Sequence, residues 1–223
     1  MDRSGAPGGA PQDGGVAATE AEDHELMARV QARDEQAFAQ LVARHGPGVG
    51  RYLRSMVREA ELALDLTQET FLKIWLNAAS FEPRGPFRAW LYRVARNAAI
   101  SDMRKQRVRD FFGIAPRRDE GEPVDPLWPG RGPELETLDR ELGARLRREI
   151  ARLPVKLREA FVLAAVEELS MAEVARITRS PEGTVKARVH RARQRLRTAL
   201  AAAESRVALG RVAAPAATKM EGL

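Results

Sequence analysis

Ser170-Met-Ala-Glu-Val-Ala-Arg-Ile-Thr-Arg-Ser-Pro-Glu-Gly-Thr-Val-Lys-Ala-Arg-Val-His-Arg-Ala-Arg-Gln-Arg-Leu-Arg197 decides how the second half of this chain folds. Ser170 followed by Glu173 fits a capping box, in which each side chain satisfies a backbone N–H of the other residue. A short helix over 171–178 follows. Ser180-Pro181 then restarts the chain, with the serine as N-cap and the proline at the first helical position. A longer helix is expected over 182–200. A short helix, a tight turn and a longer basic helix make a helix-turn-helix. On a helical wheel Val185, Val189, Ala192, Leu196 and Leu200 fall within about 80° and form a buried stripe. Gly183, Thr184, Ala187, His190 and Arg191 lie opposite, with Lys186 and Arg188 on the flanks. From Lys186 to Arg197 there are six basic residues and no acid. A face that is small in its middle and cationic at its edges suits the DNA major groove, where lysine and arginine reach phosphates and guanine edges.

Composition removes most alternatives. The 223 residues include no cysteine, which excludes disulfides, thiolate catalysis and cysteine-ligated zinc within this chain. His24, His45 and His190 are too scattered for an ordinary histidine metal site, so no metal or cofactor is expected. Aromatics at 5% and charged residues at 30% favour helices over a large β-sandwich. No apolar run approaches the roughly 20 residues of a membrane span, and no basic-then-apolar leader opens the chain. The expected compartment is the cytoplasm, with no membrane insertion.

Working outward, helices are also expected at 134–151 and 155–167. Glu159, Glu167, Glu168 and Glu173 read there as solvated helix charges, since no nucleophile accompanies them. Upstream, Phe111–Pro133 holds five prolines and many acids, and reads as a linker. In the first half, Asp34 caps a run with Phe38, Leu41 and Val42 on one face. Gly46-Pro47 interrupts that run, and Val49, Tyr52, Leu53, Met56 and Val57 resume it. Leu62, Leu66, Phe71, Ile74 and Trp75 mark the next helix. A turn at Phe81–Pro86 precedes another helix, over about 87–108. The class is all-α, in two small helical domains joined by an acidic, proline-rich linker. The expected organisation is a disordered extension at 1–20, a helical domain at 21–109, the linker at 110–133, a helix-turn-helix domain at 134–200 and an alanine-rich tail at 201–223.

Charge follows these divisions. Residues 83–109 carry 8 basic and 1 acidic side chains, residues 110–143 carry 4 and 9, and residues 144–200 carry 14 and 6. Two basic blocks around an acidic segment suggest two modules touching one polyanion. In the 87–108 helix, Phe87, Trp90, Leu91, Val94, Ala95 and Ala98 share one arc. Arg93, Arg96, Arg104 and Arg107 share the opposite one, with Ile100 and Met103 among them and Asn97 at the border. Apolar groups among arginines can stack on bases that a duplex hides. In the preceding helix Asp65, Gln68 and Glu69 share a face, an acidic patch suited to a basic protein surface.

The motifs Asp-Leu-Thr-Gln-Glu-Thr-Phe (65–71), Gly-Pro-Phe-Arg-Ala-Trp-Leu-Tyr-Arg-Val-Ala-Arg-Asn (85–97) and Gly-Thr-Val-Lys-Ala-Arg-Val-His-Arg-Ala-Arg (183–193) together carry a resemblance. The sequence resembles bacterial RNA polymerase sigma factors of the sigma-70 family, in the extracytoplasmic-function (ECF) group. That resemblance implies a sigma region 2 that holds the polymerase β′ clamp helices through Asp65, Gln68 and Glu69. It implies −10 contacts from Phe81, Arg93, Arg96, Asn97 and Arg104, with Phe81 and Asn97 lining a pocket for a flipped base. It implies a region 4 that reads the −35 element through Thr184, Lys186, Ala187, Arg188 and Arg191 and touches the β flap. It further implies control by an anti-sigma protein. The sequence departs from the family pattern at Leu64, where an acid is usual, at the Thr178-Arg179 turn, and at Ala187, where serine is frequent.

Two other classes bear weighing. A dimeric repressor or activator would share the helix-turn-helix but has no need of the acidic 65–71 motif. An enzyme would require a nucleophile–base pair, a phosphate loop or a metal cluster, and the sequence offers none of these.

Overall fold

Residues 13–57, 59–83, 85–113 and 133–212 are described by a computed structural model, with side-chain surroundings from 19 to 113 and from 143 to 201 within those spans. Among the described residues all regular structure is helical. An N-terminal module contains α1 (Asp13–Gln31), α2 (Glu35–Met56), α3 (Ala60–Leu76) and α4 (Phe87–Phe111). A C-terminal module contains α5 (Pro133–Arg152), α6 (Val155–Phe161), α7 (Met171–Thr178) and α8 (Glu182–Val212). A 3-10 turn, Ala78–Ser80, leads from α3 into the segment before α4.

Helix α1 starts at Asp13, inside the stretch expected to be disordered. Ala17, Ala18, Glu20, Ala21 and Glu22 are strong helix formers and outweigh Gly14 and Gly15. Asp23, Leu26, Met27 and Val30 of α1 are buried against the module. Arg44 holds Glu22 and Asp23 at 2.9 Å each, and Asp23 lies 2.9 Å from His45. Gln31 donates to the carbonyls of Ala78 and Phe81 and so ties the 3-10 turn to α1.

The expected break at Gly46-Pro47 is absent, and α2 continues through both residues. Asp34 caps it by accepting from the N–H groups of Gln36 and Ala37. Proline inside a helix costs about 3 kcal/mol. Leu41, Val49, Tyr52 and Leu53 are fully buried on one continuous face of α2. Each large apolar side chain so buried contributes about 1.5–3 kcal/mol, so packing outweighs the proline.

Helix α4 runs through Phe111, three residues beyond the expected end. The linker residues 114–132 lie outside the described residues. Helix α8 continues through Val212, into the tail expected at 201–223, whose remainder also lies outside them. The helix expected at 155–167 divides into α6 and a π turn, Val162–Val166. That turn swings the chain so that Glu167 points back toward α2 and α4 rather than outward.

In the helix-turn-helix, the Ser170 Oγ accepts from the Glu173 N–H, and the Glu173 carboxylate accepts from the Ser170 N–H at 2.8 Å. Val185, Val189, Ala192 and Leu196 are buried as the wheel requires, whereas Leu200 is half-buried. Arg179 closes α7 in the left-handed region, φ 51° and ψ 48°. That conformation costs a non-glycine residue about 1–2 kcal/mol, partly offset by glycine's greater entropy when unfolded. Arg179→Gly is therefore expected to raise stability by about 0.5–1 kcal/mol, or Tm by roughly 1–4 °C. Thermal unfolding followed by circular dichroism measures it, and an unchanged or lowered Tm contradicts the strain.

Candidate nucleic-acid and polymerase interfaces

Helix α8 presents Thr184, Lys186, Ala187, His190 and Arg191 to solvent, with Arg193, Arg195 and Arg197 farther along. Lys186 pairs with Glu182 at 2.7 Å, one turn earlier. Arg188 is half-buried and donates to the Ser180 Oγ at 2.9 Å, while the Ser180 hydroxyl donates to the Thr178 carbonyl. The Ser180 side chain thus steadies the base of the cationic face, in place of the N-cap role expected for it. The result is a long cationic ridge with the small Ala187 near its N-terminal end.

On α4, the apolar arc is inside: Phe87, Leu91, Ala95 and Ala98 are buried. Arg93, Asn97, Arg104 and Arg107 are exposed. Arg96 differs from its expected exposure. Its Nε donates at 2.6 Å to Glu159 of the C-terminal module, and its side chain is 19% exposed. Phe81 is also buried, packed edge-on against Phe87 and Trp90 with centroids 5.9 and 5.0 Å away. Its ring supports the wall beneath the α4 surface and is not on that surface. Met103 packs against the core, whereas Val108, Phe111 and Phe112 are exposed.

On α3, Asp65, Gln68 and Glu69 are exposed together, and Glu69 pairs with Lys73 at 2.5 Å. Beside them, Leu64, Leu72 and Leu76 are 63%, 55% and 60% exposed. With Gln68 they recur every fourth residue and form one stripe along the helix. Exposed apolar side chains grouped in this way are uncommon on a surface that meets only water. The spacing of Leu64, Leu72 and Leu76 carries this signal in the sequence, but Leu72 and Leu76 are masked there by the buried Phe71, Ile74 and the half-buried Trp75 beside them.

Glu159 and Glu167 overturn the expectation of solvated helix charges. Both carboxylates are buried where the two modules meet. The Arg51 guanidinium grips Glu167 through two hydrogen bonds of 3.1 Å each. The Tyr92 hydroxyl donates to the same carboxylate at 2.7 Å, and Arg88 donates to the Glu167 backbone carbonyl. Glu159 accepts from Arg96 and, at 3.4 Å, from the Tyr52 hydroxyl. Burial, reinforced by the neighbouring Glu159 and Glu167 charges, pushes the Tyr52 and Tyr92 hydroxyls well above the usual phenol range. Both therefore stay protonated donors. Each acid sits more than one hundred residues from its α2 partner, a pairing that helical periodicity does not report. Glu168 and Glu173 are the two that remain outward, exposed and half-exposed.

Among the described residues no group of three His, Cys, Asp or Glu could hold a metal ion, and no helix is long and apolar enough to cross a membrane. The geometry is that of two cationic helical surfaces and one acidic-apolar stripe.

The family model of Sigma-70 region 2 matches residues 41–109, and that of Sigma-70, region 4 matches residues 143–196. The chain is 32% identical over 174 residues to the ECF RNA polymerase sigma factor SigW of Bacillus subtilis, covering 77% of this chain and 93% of that protein. It is 33% identical over 184 residues to the RNA polymerase sigma-H factor of Pseudomonas aeruginosa, covering 82% and 95%. Among solved structures, it resembles CnrH in complex with the cytosolic domain of CnrY, with TM-score 0.59, 29% identity and coverage of 81% and 98%. It resembles likewise the sigma factor RpoE bound to the anti-sigma factor NepR from Bartonella quintana, with TM-score 0.60, 29% identity and coverage of 73% and 96%. The chain belongs to the sigma-70 family and, within it, to the extracytoplasmic-function RNA polymerase sigma factors.

Proposed function

We propose that this sigma factor works in the cytoplasm without a catalytic step of its own, docks on the polymerase core through α3, and reads a promoter with α8 and α4. In this reading Asp65, Gln68, Glu69 and the leucine stripe meet the β′ clamp helices. Arg93, Asn97 and Arg104 follow the −10 strand. Thr184, Lys186, Ala187, Arg188 and Arg191 read the −35 element, and the same module touches the β flap. An anti-sigma protein restrains the factor, as the NepR complex of RpoE suggests by likeness. The observation that carries the proposal is the coexistence, in one chain, of a cationic groove-reading helix and an exposed acidic-leucine stripe on another helix. A plain DNA-binding repressor has use for the first alone.

The −35 assignment separates base reading from phosphate binding. Arg191 flanks Ala187 on the exposed face, while Arg195 and Arg197 lie one to two turns farther along. Arg191→Ala is expected to cost about 1–3 kcal/mol on the cognate −35 duplex and much less on a scrambled one. Arg195→Ala or Arg197→Ala weakens both duplexes alike and lowers the salt slope by about 1. Titrations with holoenzyme at several salt concentrations distinguish the two. Equal losses on both duplexes for all three variants would show that α8 is an electrostatic clamp without base readout.

A further inference from the structure

The seat that holds Glu167 is built for an anion. Arg51 offers two parallel N–H donors, the geometry that suits a carboxylate or a phosphate. Tyr92 adds a hydroxyl donor, and Arg88 points its guanidinium at the same corner. Arg96 through its Nε and Tyr52 through its hydroxyl give one bond each to Glu159. Every one of these donors belongs to α2 or α4, and both acids belong to the opposite module. Gly48 of α2 makes the fit possible. A Cβ there would lie 2.7 Å from both the Glu167 Oε2 and the Tyr92 hydroxyl.

The position of this seat gives it meaning. Tyr92 and Arg96 alternate on α4 with Arg93 and Asn97, which face outward. A strand laid along Arg93, Asn97 and Arg104 would run beside Tyr92 and Arg96, the α4 side of the seat. Withdrawal of the C-terminal module returns both charges to water, and their hydration offsets much of the attraction that is lost.

We propose that the N-terminal module carries a phosphodiester-binding cradle of Arg51, Arg88, Arg96, Tyr52 and Tyr92, and that Glu159 and Glu167 plug it until the C-terminal module withdraws. The proposal rests on the reading of α4 as a promoter-binding helix. The C-terminal module thus competes with nucleic acid for the same arginines, and free chain binds single strands below its intrinsic capacity.

The test uses the full chain with the plug removed and, separately, with the seat filled. Glu159→Gln with Glu167→Gln removes the plug's charge. Gly48→Ala fills the seat itself, since its Cβ would stand 2.7 Å from the Glu167 Oε2 and the Tyr92 hydroxyl and would exclude a phosphate oxygen as it excludes the carboxylate. A fluorescein-labelled oligothymidylate of about 20 nucleotides supplies phosphates without a −10 sequence. Small-angle scattering reports the separation of the modules, and circular dichroism the fold. Both variants are expected to show a larger radius of gyration, and the glutamine pair about tenfold tighter oligothymidylate binding, since affinity scales with the fraction of open chain. Adding Gly48→Ala or Arg51→Ala to the glutamine pair abolishes the gain. A folded glutamine pair that binds no tighter than the parent overturns the proposal, as does a gain that survives Gly48→Ala or Arg51→Ala. Binding of the parent chain to core polymerase without DNA is measured beside it. Its absence would sink the sigma reading of α3 while leaving the cradle result standing.

Discussion

Core polymerase is expected to bind the Asp65→Lys, Glu69→Lys double variant about a hundredfold more weakly than the parent, a loss of roughly 3 kcal/mol. Like charges brought face to face across an interface cost several kcal/mol, more than deletion of an attractive pair. Both side chains are exposed on α3, so the substitutions leave the core untouched. A lysine in place of Glu69 stands one turn from Lys73, and this i,i+4 repulsion costs the helix itself only about 0.2–0.5 kcal/mol. Circular dichroism of the free variant is therefore expected to match the parent. A core-binding titration that shows undiminished affinity, with the fold intact, removes α3 from the docking surface.

The second large effect concerns stability. Ile177 of α7 is fully buried, and α7 packs against α8 and α4. Ile177→Ala is expected to cost about 2–5 kcal/mol, the lost transfer energy plus that of the cavity left behind. That is a large share of a domain's ordinary stability of about 5–15 kcal/mol. Because α7 sets the angle of α8, binding to a −35 duplex should fall at temperatures where the parent still binds. Chemical denaturation gives the first quantity and duplex titration against temperature the second. A loss under about 1 kcal/mol would mean that the helix-turn-helix relaxes around the gap.

Local signals are legible in the sequence where the interacting neighbours are close in the chain. The Ser170–Glu173 capping box, the Asp34 cap and the Val185-Val189-Ala192-Leu196 stripe all depend on spacings of three or four residues, which a wheel displays. The exposed faces of α3 and α8 are legible for the same reason. What escapes depends on distant partners. Glu159 and Glu167 look like ordinary surface acids until Arg51, Arg96 and the two tyrosines arrive from another module. Arg96 then leaves the exposed face to which its wheel position assigns it. Phe81 shows the same limit from the apolar side, since a residue preceding a helix carries no periodicity to reveal its burial. Pro47 misleads in the opposite sense. Its local preference against helix is real, and tertiary packing overrules it.

That passage of α2 through Gly46-Pro47-Gly48 bears on how the protein breathes. Pro47 has no N–H to give to the Ala43 carbonyl, and two glycines leave the neighbouring backbone loose. An excised α2 peptide would stay largely coil, because nothing within the segment itself favours this turn. Its helical order is borrowed from the elements that press on it, α1 and α3 on the one side and Glu167 at Gly48 on the other. Amide protons around this turn should accordingly exchange with deuterium sooner than those of the Leu53 turn. Docking at a distance thus becomes audible in the middle of a helix, and this single turn reports whether the two halves of the molecule are together.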